Sequence, residues 1–304
     1  MLSLYNKSKG VKKMSLTARL HSKRPVDQQL QALLRALSPR AGDFYTVKWK
    51  KAFSKDYELL VPYGLHSAAE ASLVGTAFDY FLRLETAKKT GIFFKSEQLV
   101  AVFGYTCWCA HVPSARRIEA RVRQALKNID AYQREYLPIY EDCFLLAKLE
   151  AMYRSGRFSE DVEEVVKPPH ARLLKELRDL QTVAESAFLS HVETTTDVKY
   201  NPSFGLGSEL VNGADGDIII DGLLVDFKTS KKYNYSWQDT AQIVGYYFLN
   251  RLNQVVRGDN TMDFHKVALY QARYGEMAMI DLATFYQGQE EDLLRQLMMI
   301  LQKG

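Results

Sequence analysis

Cysteine is scarce in this chain of 304 residues, which contains only Cys107, Cys109 and Cys143. Three thiolates from one chain cannot supply the four that hold an iron–sulfur cluster. Cys107 and Cys109 could bind a metal together with His111. The apolar surroundings favour buried free thiols instead, because a free cysteine behaves as a small hydrophobe.

Long apolar runs are also missing. The most apolar window, residues 99–112, is about fourteen residues long and is interrupted by Gly104 and His111, whereas a membrane-spanning helix needs ~20 residues. The first twenty-odd residues carry many Lys and Arg side chains around no continuous apolar core, unlike a secretory signal. We therefore expect a soluble, cytoplasmic protein with no membrane partner.

Charge is distributed unevenly along the chain. The net charge is +4, but residues 1–55 contain thirteen Lys or Arg against Asp27 and Asp43, which leaves about −7 for the remainder. A basic arm beside an acidic body suits a protein that binds phosphate backbones, because each cation that meets a phosphate releases counterions. A solvated N-terminus has the same composition, so both interpretations stay open.

Residues 213–228 hold the most informative pattern. Two short apolar runs, 217–220 and 223–228, are separated by Asp221-Gly222, a dipeptide typical of a tight hairpin turn. Two adjacent antiparallel strands are therefore predicted. Strand periodicity sends Asp226 and Lys228 to the same face, with Asp217 at the mouth of the first strand.

This arrangement has a chemical use. Carboxylate oxygens suit Mg2+ or Mn2+, and a neighbouring lysine can hold an attacking water or neutralise charge that develops on a phosphate. The pattern therefore indicates phosphodiester hydrolysis. A surface hairpin with a solvated Asp and Lys is the alternative interpretation.

A helix is predicted after the hairpin, over residues 239–249. Gln242 and Tyr246 are four residues apart, so they share one face of this helix. An ordinary amphipathic helix would instead pack Tyr246 on the sheet and expose Gln242.

The acid Asp217 before Ile218, the run Asp226-Phe227-Lys228 and the following Gln242-x-x-x-Tyr246 together resemble the PD-(D/E)XK nuclease superfamily, in its RecB-like and lambda-exonuclease-like branch. The resemblance covers roughly residues 183–280. It implies an α/β fold, a restriction-endonuclease-like mixed β-sheet flanked by helices. It also implies a metal-dependent nuclease that hydrolyses DNA with Mg2+ or Mn2+, with RNA as the other candidate substrate and with endo- or exonucleolytic cutting left open.

The resemblance also implies roles for the hairpin residues. Asp217 and Asp226 would bind the metal together with the carbonyl of Phe227, and Asp215 could replace Asp217. Lys228 would orient and help to deprotonate the water, or stabilise the transferred phosphate.

The following helix would supply two further groups to the same site. Gln242 would hydrogen-bond to the lysine or to a phosphate. Tyr246 would contact the nucleic-acid backbone near the scissile bond.

Two further residues enter through the resemblance. In a helix predicted over residues 68–88, Gly75-Thr76 resembles the first motif of the family, and Asp79 stands where the family has a metal-binding histidine; pairing of Asp79 with Arg83 is the alternative. In a helix over residues 171–190, Glu185 is the candidate for a further metal-site acid, and Glu176 is its competitor.

The rest of the chain is predicted to be largely helical in its N-terminal half. We divide it into a basic arm and helical segment, 1–67, and a nuclease domain, 68–304, with a helical insertion at about 90–180. Helices are also expected at 26–37 and 282–301, and strands at 208–211 and 264–273. Basic and aromatic residues alternate over 44–57, a pattern that can stack bases or form an ordinary amphipathic element.

Other functions remain open at this stage. The chain could be a non-catalytic nucleic-acid-binding or scaffold relative, and its helical N-terminal half could bind a protein partner. A third hypothesis is a dinucleotide or other phosphate ligand held by Gly205-Leu206-Gly207, a weak glycine pattern. The number of subunits is not determined by the sequence.

Overall fold

A computed structural model describes residues 15–47, 50–192 and 197–302. The fold is mixed α/β, as expected, and helices predominate in the described part of its N-terminal half. The helices of the described part are α1 (Leu16–Arg19), α2 (Pro25–Leu37), α3 (Ala68–Thr90), α4 (Val100–His111), α5 (Glu119–Tyr132), α6 (Tyr140–Ser155), α7 (Val162–Val166), α8 (Ala171–Ala187), α9 (Leu206–Leu210), α10 (Trp237–Arg257), α11 (Leu282–Phe285) and α12 (Glu290–Leu301). The strands are β1 (Tyr45–Thr46), β2 (Val198–Tyr200), β3 (Ile218–Ile220), β4 (Leu223–Lys228), β5 (Lys266–Gln271) and β6 (Glu276–Asp281).

The strands form one six-stranded sheet in the order β1-β6-β5-β4-β3-β2. Only β4 and β5 run parallel, and α10 makes the crossover between them, as parallel neighbours require. All other neighbouring pairs in this sheet are antiparallel. The prediction of a mixed sheet flanked by helices is therefore confirmed.

The predicted hairpin is confirmed at β3 and β4. Asp221 and Gly222 have φ angles of 45° and 74°, the left-handed conformation that a two-residue hairpin turn requires at both positions. Ile218 pairs with Val225, and continuing this register places Asp217 opposite Asp226. Cross-strand partners lie on the same face of a sheet, so the turn brings these two carboxylates together.

Helices cover both faces of the sheet. One face packs Val225 and Ala268 against α3, α6 and α8, and the other packs Leu224 and Val267 against α10 and α12. Alternation along β4 therefore turns Phe227 toward α3 and α8, whereas Asp226 faces α10.

The N-terminal segment packs against this second face. Leu16 and Leu34 are each 1% exposed and belong to the same core as α10. Gly245 allows α1 to approach α10 closely, because a Cβ at that position would lie 2.8 Å from Leu16 Cδ2. From residue 15 onward the segment is thus packed on the sheet domain, whereas the lysines of residues 1–14 lie outside the described part of the chain.

One predicted element is wrong. Residues 208–211 do not form a strand, because the edge of the sheet is taken by β2, which pairs with β3, and residues 206–210 form the short helix α9. The glycines near it serve close packing: a Cβ on Gly207 would lie 2.3 Å from Leu249 O, and Leu206 N donates to Asn253 Oδ1 at 2.9 Å. This contact with α10 occupies the segment that the dinucleotide hypothesis needed.

The remaining helix and strand predictions agree with the structure in type. Residues 26–37, 68–88, 239–249 and 264–273 lie in or overlap α2, α3, α10 and β5. The predicted helix 282–301 is divided into α11 and α12 by a turn in which Gly288 has a φ of 79°. Within the described ranges, no helix is both long enough and apolar enough to span a membrane.

Candidate metal and catalytic centre

The candidate centre lies between the end of β4 and the first half of α10. Asp226 and Lys228 come from β4, and Asp217 from the residue before β3. Gln242 and Tyr246 come from one face of α10, one helical turn apart. The structure brings these five side chains together.

A buried ion pair forms the base of the centre. Lys228 Nζ lies 2.8 Å from Asp226 Oδ2, and Asp226 is only 3% exposed. Lys228 Nζ also lies 3.2 Å from Asp239 Oδ1, on the first turn of α10. One ammonium is therefore shared between two carboxylates.

Gln242 connects the members of the centre. Its Oε1 accepts from Lys228 Nζ at 3.2 Å, and its Nε2 donates to Asp226 Oδ1 at 3.2 Å and to the Tyr246 hydroxyl at 2.8 Å. An amide is suited to this position because it carries an acceptor and two donors. Gln242 thus fixes the orientation of the lysine, the carboxylate and the tyrosine at once.

Asp217 adds a second carboxylate to the centre, beside that of Asp226. Its Oδ2 accepts from Phe227 N at 2.6 Å, which holds the side chain against the end of β4. Burial and then the neighbouring Asp226 raise the pKa of Asp217 to about 7, although the Phe227 N–H works in the opposite direction. Burial also raises the pKa of Asp226, with the Lys228 ammonium opposing it.

Lys228 keeps its proton in this environment. Burial alone would lower the pKa of Lys228, but the carboxylates of Asp226 and Asp239 outweigh burial and hold it above its ordinary value. Lys228 is therefore a fixed positive charge at neutral pH. In this state it can donate hydrogen bonds but cannot accept a proton.

A cleft of about 470 Å³ opens beside Asp217 and Tyr246. Residues of α1, α3 and α6 form its other walls, so the helical N-terminal half completes a site whose acids come from the sheet. Phe227 and Gln242 also line the cleft. A substrate group in this space would contact Asp217, Gln242 and Tyr246.

Asp79 lies on the α3 wall of the cleft. Arg83 Nε donates to its Oδ1 at 2.8 Å, and Arg83 Nη2 contacts its Oδ2 as well. Both oxygens are thus held by a buried guanidinium. Asp79 borders the centre as part of an ion pair, the alternative that the sequence had left open.

Asp215 also borders the cleft, but its charge is balanced. Arg154, from α6, donates to Asp215 Oδ2 at 2.7 Å and to Glu150 Oε1 at 2.6 Å. Asp217 has no such cation bound to it among the described residues and faces Asp226 instead. This difference favours Asp217 over Asp215 as the first candidate metal ligand.

The structure does not bring Glu185 to the centre, which corrects the expectation from the sequence. Glu185 is exposed on α8, where its Oε1 accepts from Gln181 Nε2 at 2.6 Å. Its competitor Glu176 is buried at another place and is paired with Arg273 at 2.5 Å. The face of α8 that meets the sheet carries apolar side chains such as Leu177 and Ala184, so Glu185 points away from it.

The donor set for a metal is small. Within the described residues, no group of three or more His, Cys, Asp or Glu side chains converges as a metal cage. The carboxylates available are Asp217 and Asp226, to which the Phe227 carbonyl and water could be added. Two carboxylates fit Mg2+, which keeps several waters and is usually bound by one or two carboxylates together with substrate phosphates.

Sequence reasoning missed two residues of this region. Asp239 binds Lys228, and its position three residues before Gln242 on α10 was a signal that could have revealed it. Arg154 reaches the cleft from α6, far away in the sequence, and no local pattern marks it.

Comparisons of this chain with family models, with curated proteins and with solved structures found no match.

Proposed function

We propose that this protein is a metal-dependent nuclease of the PD-(D/E)XK type that hydrolyses DNA, and that Asp217, Asp226 and Lys228 are its central residues. One observation carries the proposal: Asp217 lines a cleft and faces the buried carboxylate of Asp226, and Lys228, from the same strand as Asp226, is fixed beside Asp226. Perturbed ionisable groups around a cavity are typical of active sites. The element order α8, β2, α9, β3, β4, α10, β5 also supports a restriction-endonuclease-like core.

Asp217 and Asp226 are the residues that would hold Mg2+ or Mn2+, with the Phe227 carbonyl as a further ligand. When bound, the metal would polarise the phosphate and lower the pKa of a coordinated water. A cation here would also relieve the repulsion between the two carboxylates, which otherwise favours protonation of one of them.

Lys228 acts as a charge stabiliser in this proposal. Because Asp226 and Asp239 keep it protonated, it stabilises negative charge that develops on the phosphate and orients the attacking water. It does not remove the proton from that water. Gln242 keeps the lysine at this position, and Tyr246, whose pKa is raised by burial, remains a neutral hydroxyl that can contact the phosphate backbone.

Cleavage assays test the proposal. Supercoiled plasmid, linear duplex and single-stranded DNA are incubated with the full chain in Mg2+, Mn2+ or EDTA, and the products are sized to separate endonucleolytic from exonucleolytic cutting. Asp226→Asn should abolish metal-dependent cutting, because it removes a ligand charge. Lys228→Ala should lower kcat about 10²–10³-fold, the effect of losing one preorganised donor.

Lys266→Ala is the matched control. Lys266 is an exposed lysine on the neighbouring strand, at the opposite end of the β4–β5 pair from Lys228. Its variant should cut like the wild type. Equal cutting by Asp226→Asn and wild type would reject the site, and binding of DNA without cutting under any metal would favour the non-catalytic alternative.

A further inference from the structure

A second cavity, of about 570 Å³, lies between the end of α2 and the beginning of α10. Its volume is within the range of about 300–1,000 Å³ that is usual for ligand pockets. The side chains that characterise it are Arg35, Arg40, Asn234, Trp237 and Gln238. The proposed cleavage centre uses none of them.

Two cations of this cavity are available to an anion. Arg35 and Arg40 are exposed, and neither side chain is ion-paired with a carboxylate of the described chain. Asp43 lies near Arg40, but its Oδ2 accepts from the backbone N of Arg40 at 2.6 Å. By contrast, Arg154 in the cleft and Arg83 beside the cleft residue Asp79 are both held by acids.

The same cavity offers surfaces for a base. The Arg35 guanidinium lies 5.1 Å from the centre of the half-buried Trp237 ring, and Tyr235 is anchored by its hydroxyl to Pro39 O at 2.8 Å. Aromatic rings and guanidinium planes are the surfaces on which unpaired bases stack. The amides of Asn234 and Gln238 add donors and acceptors that can meet a base edge.

The position of the cavity connects it with the cleavage centre. Trp237 and Asp239 belong to the first turn of α10, and Asp239 lies 3.2 Å from Lys228. Ser236 caps this helix by accepting from Asp239 N at 3.3 Å, so that backbone N–H is already occupied. A phosphate that enters the cavity would therefore bind to the guanidinium groups of Arg35 and Arg40. The first turn of α10 therefore contributes both to the wall of this cavity and to the contact with Lys228.

We propose that the cavity binds a nucleotide in a single-stranded segment of the substrate. Arg35 and Arg40 hold its phosphates, and its base stacks on Trp237 and the Arg35 plane. A base inside a duplex is already stacked and paired, so only an unpaired base can enter. The link to cleavage rests on the proposed nuclease function, whereas the binding itself does not.

Binding without cleavage tests this inference separately. A fluorescein-labelled dT12 oligonucleotide and a blunt 12-base-pair duplex are titrated with the full chain in EDTA at several salt concentrations. Arg35→Ala with Arg40→Ala should weaken dT12 binding at least ~10-fold and reduce the salt dependence by about one to two phosphate contacts. Trp237→Ala should weaken it similarly, and Trp237→Phe should restore most of the affinity because a ring is retained.

Lys167→Ala with Lys175→Ala is the charge-matched control. Both lysines are exposed and lie far from the cavity, Lys167 directly after α7 and Lys175 on α8, where they pair with Glu164 and Asp179. Arg40→Ala alone guards against a folding defect, and its melting temperature should equal that of the wild type. Wild-type affinity and salt dependence in the arginine variant would overturn the inference, as would equal affinity for the blunt duplex or no binding of dT12 at all. If the wild type cuts no DNA but the arginine variant still loses dT12 binding, the nucleotide-binding role of the cavity stands and the proposed nuclease function is rejected.

Discussion

Two buried ion pairs lie side by side at the ends of β4 and β5, and they differ in what surrounds them. Lys228 pairs with Asp226, and Arg273 pairs with Glu176. They are neighbours, because Thr229, the residue after Lys228, accepts from Arg273 Nε at 2.7 Å through its carbonyl oxygen. Burial of opposite charges is common to both.

The Arg273 pair is saturated by partners. Arg273 is fully buried, and it also donates to Val61 O at 3.4 Å and to Pro62 O at 3.3 Å. Its guanidinium stacks on Tyr63 at 4.8 Å from the ring centre. The charge of Arg273 is compensated by one carboxylate, and its other N–H groups donate to carbonyl oxygens. Such an ion pair stabilises the fold and offers no free group to a ligand.

The Lys228 pair is not balanced. Asp226 and Asp239 share the Lys228 ammonium, and a further carboxylate, Asp217, faces Asp226 and lines the cleft. A buried pair is weak evidence for either stability or function. The excess of negative charge beside a cavity is what distinguishes the candidate centre from the structural pair.

The largest effect on stability is expected when the structural ion pair between Arg273 and Glu176 is broken. Arg273→Met leaves Glu176 buried without a cation, so the free energy of unfolding should fall by about 3–5 kcal/mol. Urea denaturation measures it. The double variant Arg273→Met with Glu176→Met should recover most of the loss, and a cost below about 1 kcal/mol for the single variant would contradict the structural assignment.

A smaller effect is expected from the functional side of the comparison. Gln242→Ala removes the amide that aligns Lys228 and Asp226 and should lower the cleavage rate about 10–100-fold, equivalent to roughly 1.4–2.7 kcal/mol. Single-turnover kinetics on the DNA substrate measures it. Gln287→Ala, in the exposed turn between α11 and α12, should cleave normally, and an unchanged rate for Gln242→Ala would remove Gln242 from the centre.

The pH dependence of stability should show the unbalanced charge. Because the pKa of Asp217 is raised to about 7, the metal-free folded protein binds more protons than the unfolded chain between about pH 4 and 7. This group's contribution to the free energy of unfolding therefore falls as pH rises through that window and stays low above it.

Asp217→Asn removes this titration and should stabilise the metal-free protein by about 1–2 kcal/mol at pH 8 but not at pH 4. Thermal melting in EDTA at both pH values measures the difference. Added Mg2+ should raise the melting temperature of the wild type at pH 8 and leave the variant unchanged. A variant less stable than wild type at pH 8 would show that the Asp217 charge is already compensated.

The smallest effect is expected at Glu185. Glu185→Gln should alter neither the cleavage rate nor its dependence on Mg2+, because this side chain is exposed and bonded to Gln181 outside the cleft. Metal titration of the cleavage rate measures both quantities. A tenfold higher requirement for Mg2+ would return Glu185 to the proposed metal site.

The sequence by itself determined the local parts of this protein. A two-residue hairpin turn needs the left-handed conformation at both positions, which Asp221-Gly222 adopts readily. The two-residue period of β4 separates Asp226 and Lys228 from Phe227. The four-residue spacing of Gln242 and Tyr246 is likewise a property of one helix. Each of these features depends on neighbours in the chain, so a local pattern could predict it.

Only the tertiary structure decided how charge is balanced. Whether an acid is neutralised depends on cations that come from distant segments, as Arg154 reaches Asp215 from α6 and Arg273 reaches Glu176 on α8. The face of α8 that carries Glu185 and the pairing of β2 with β3 also depend on long-range packing. The local sequence around Asp215, Asp217, Glu176 and Glu185 does not indicate these distant partners. It could therefore name candidate metal ligands but could not choose among them.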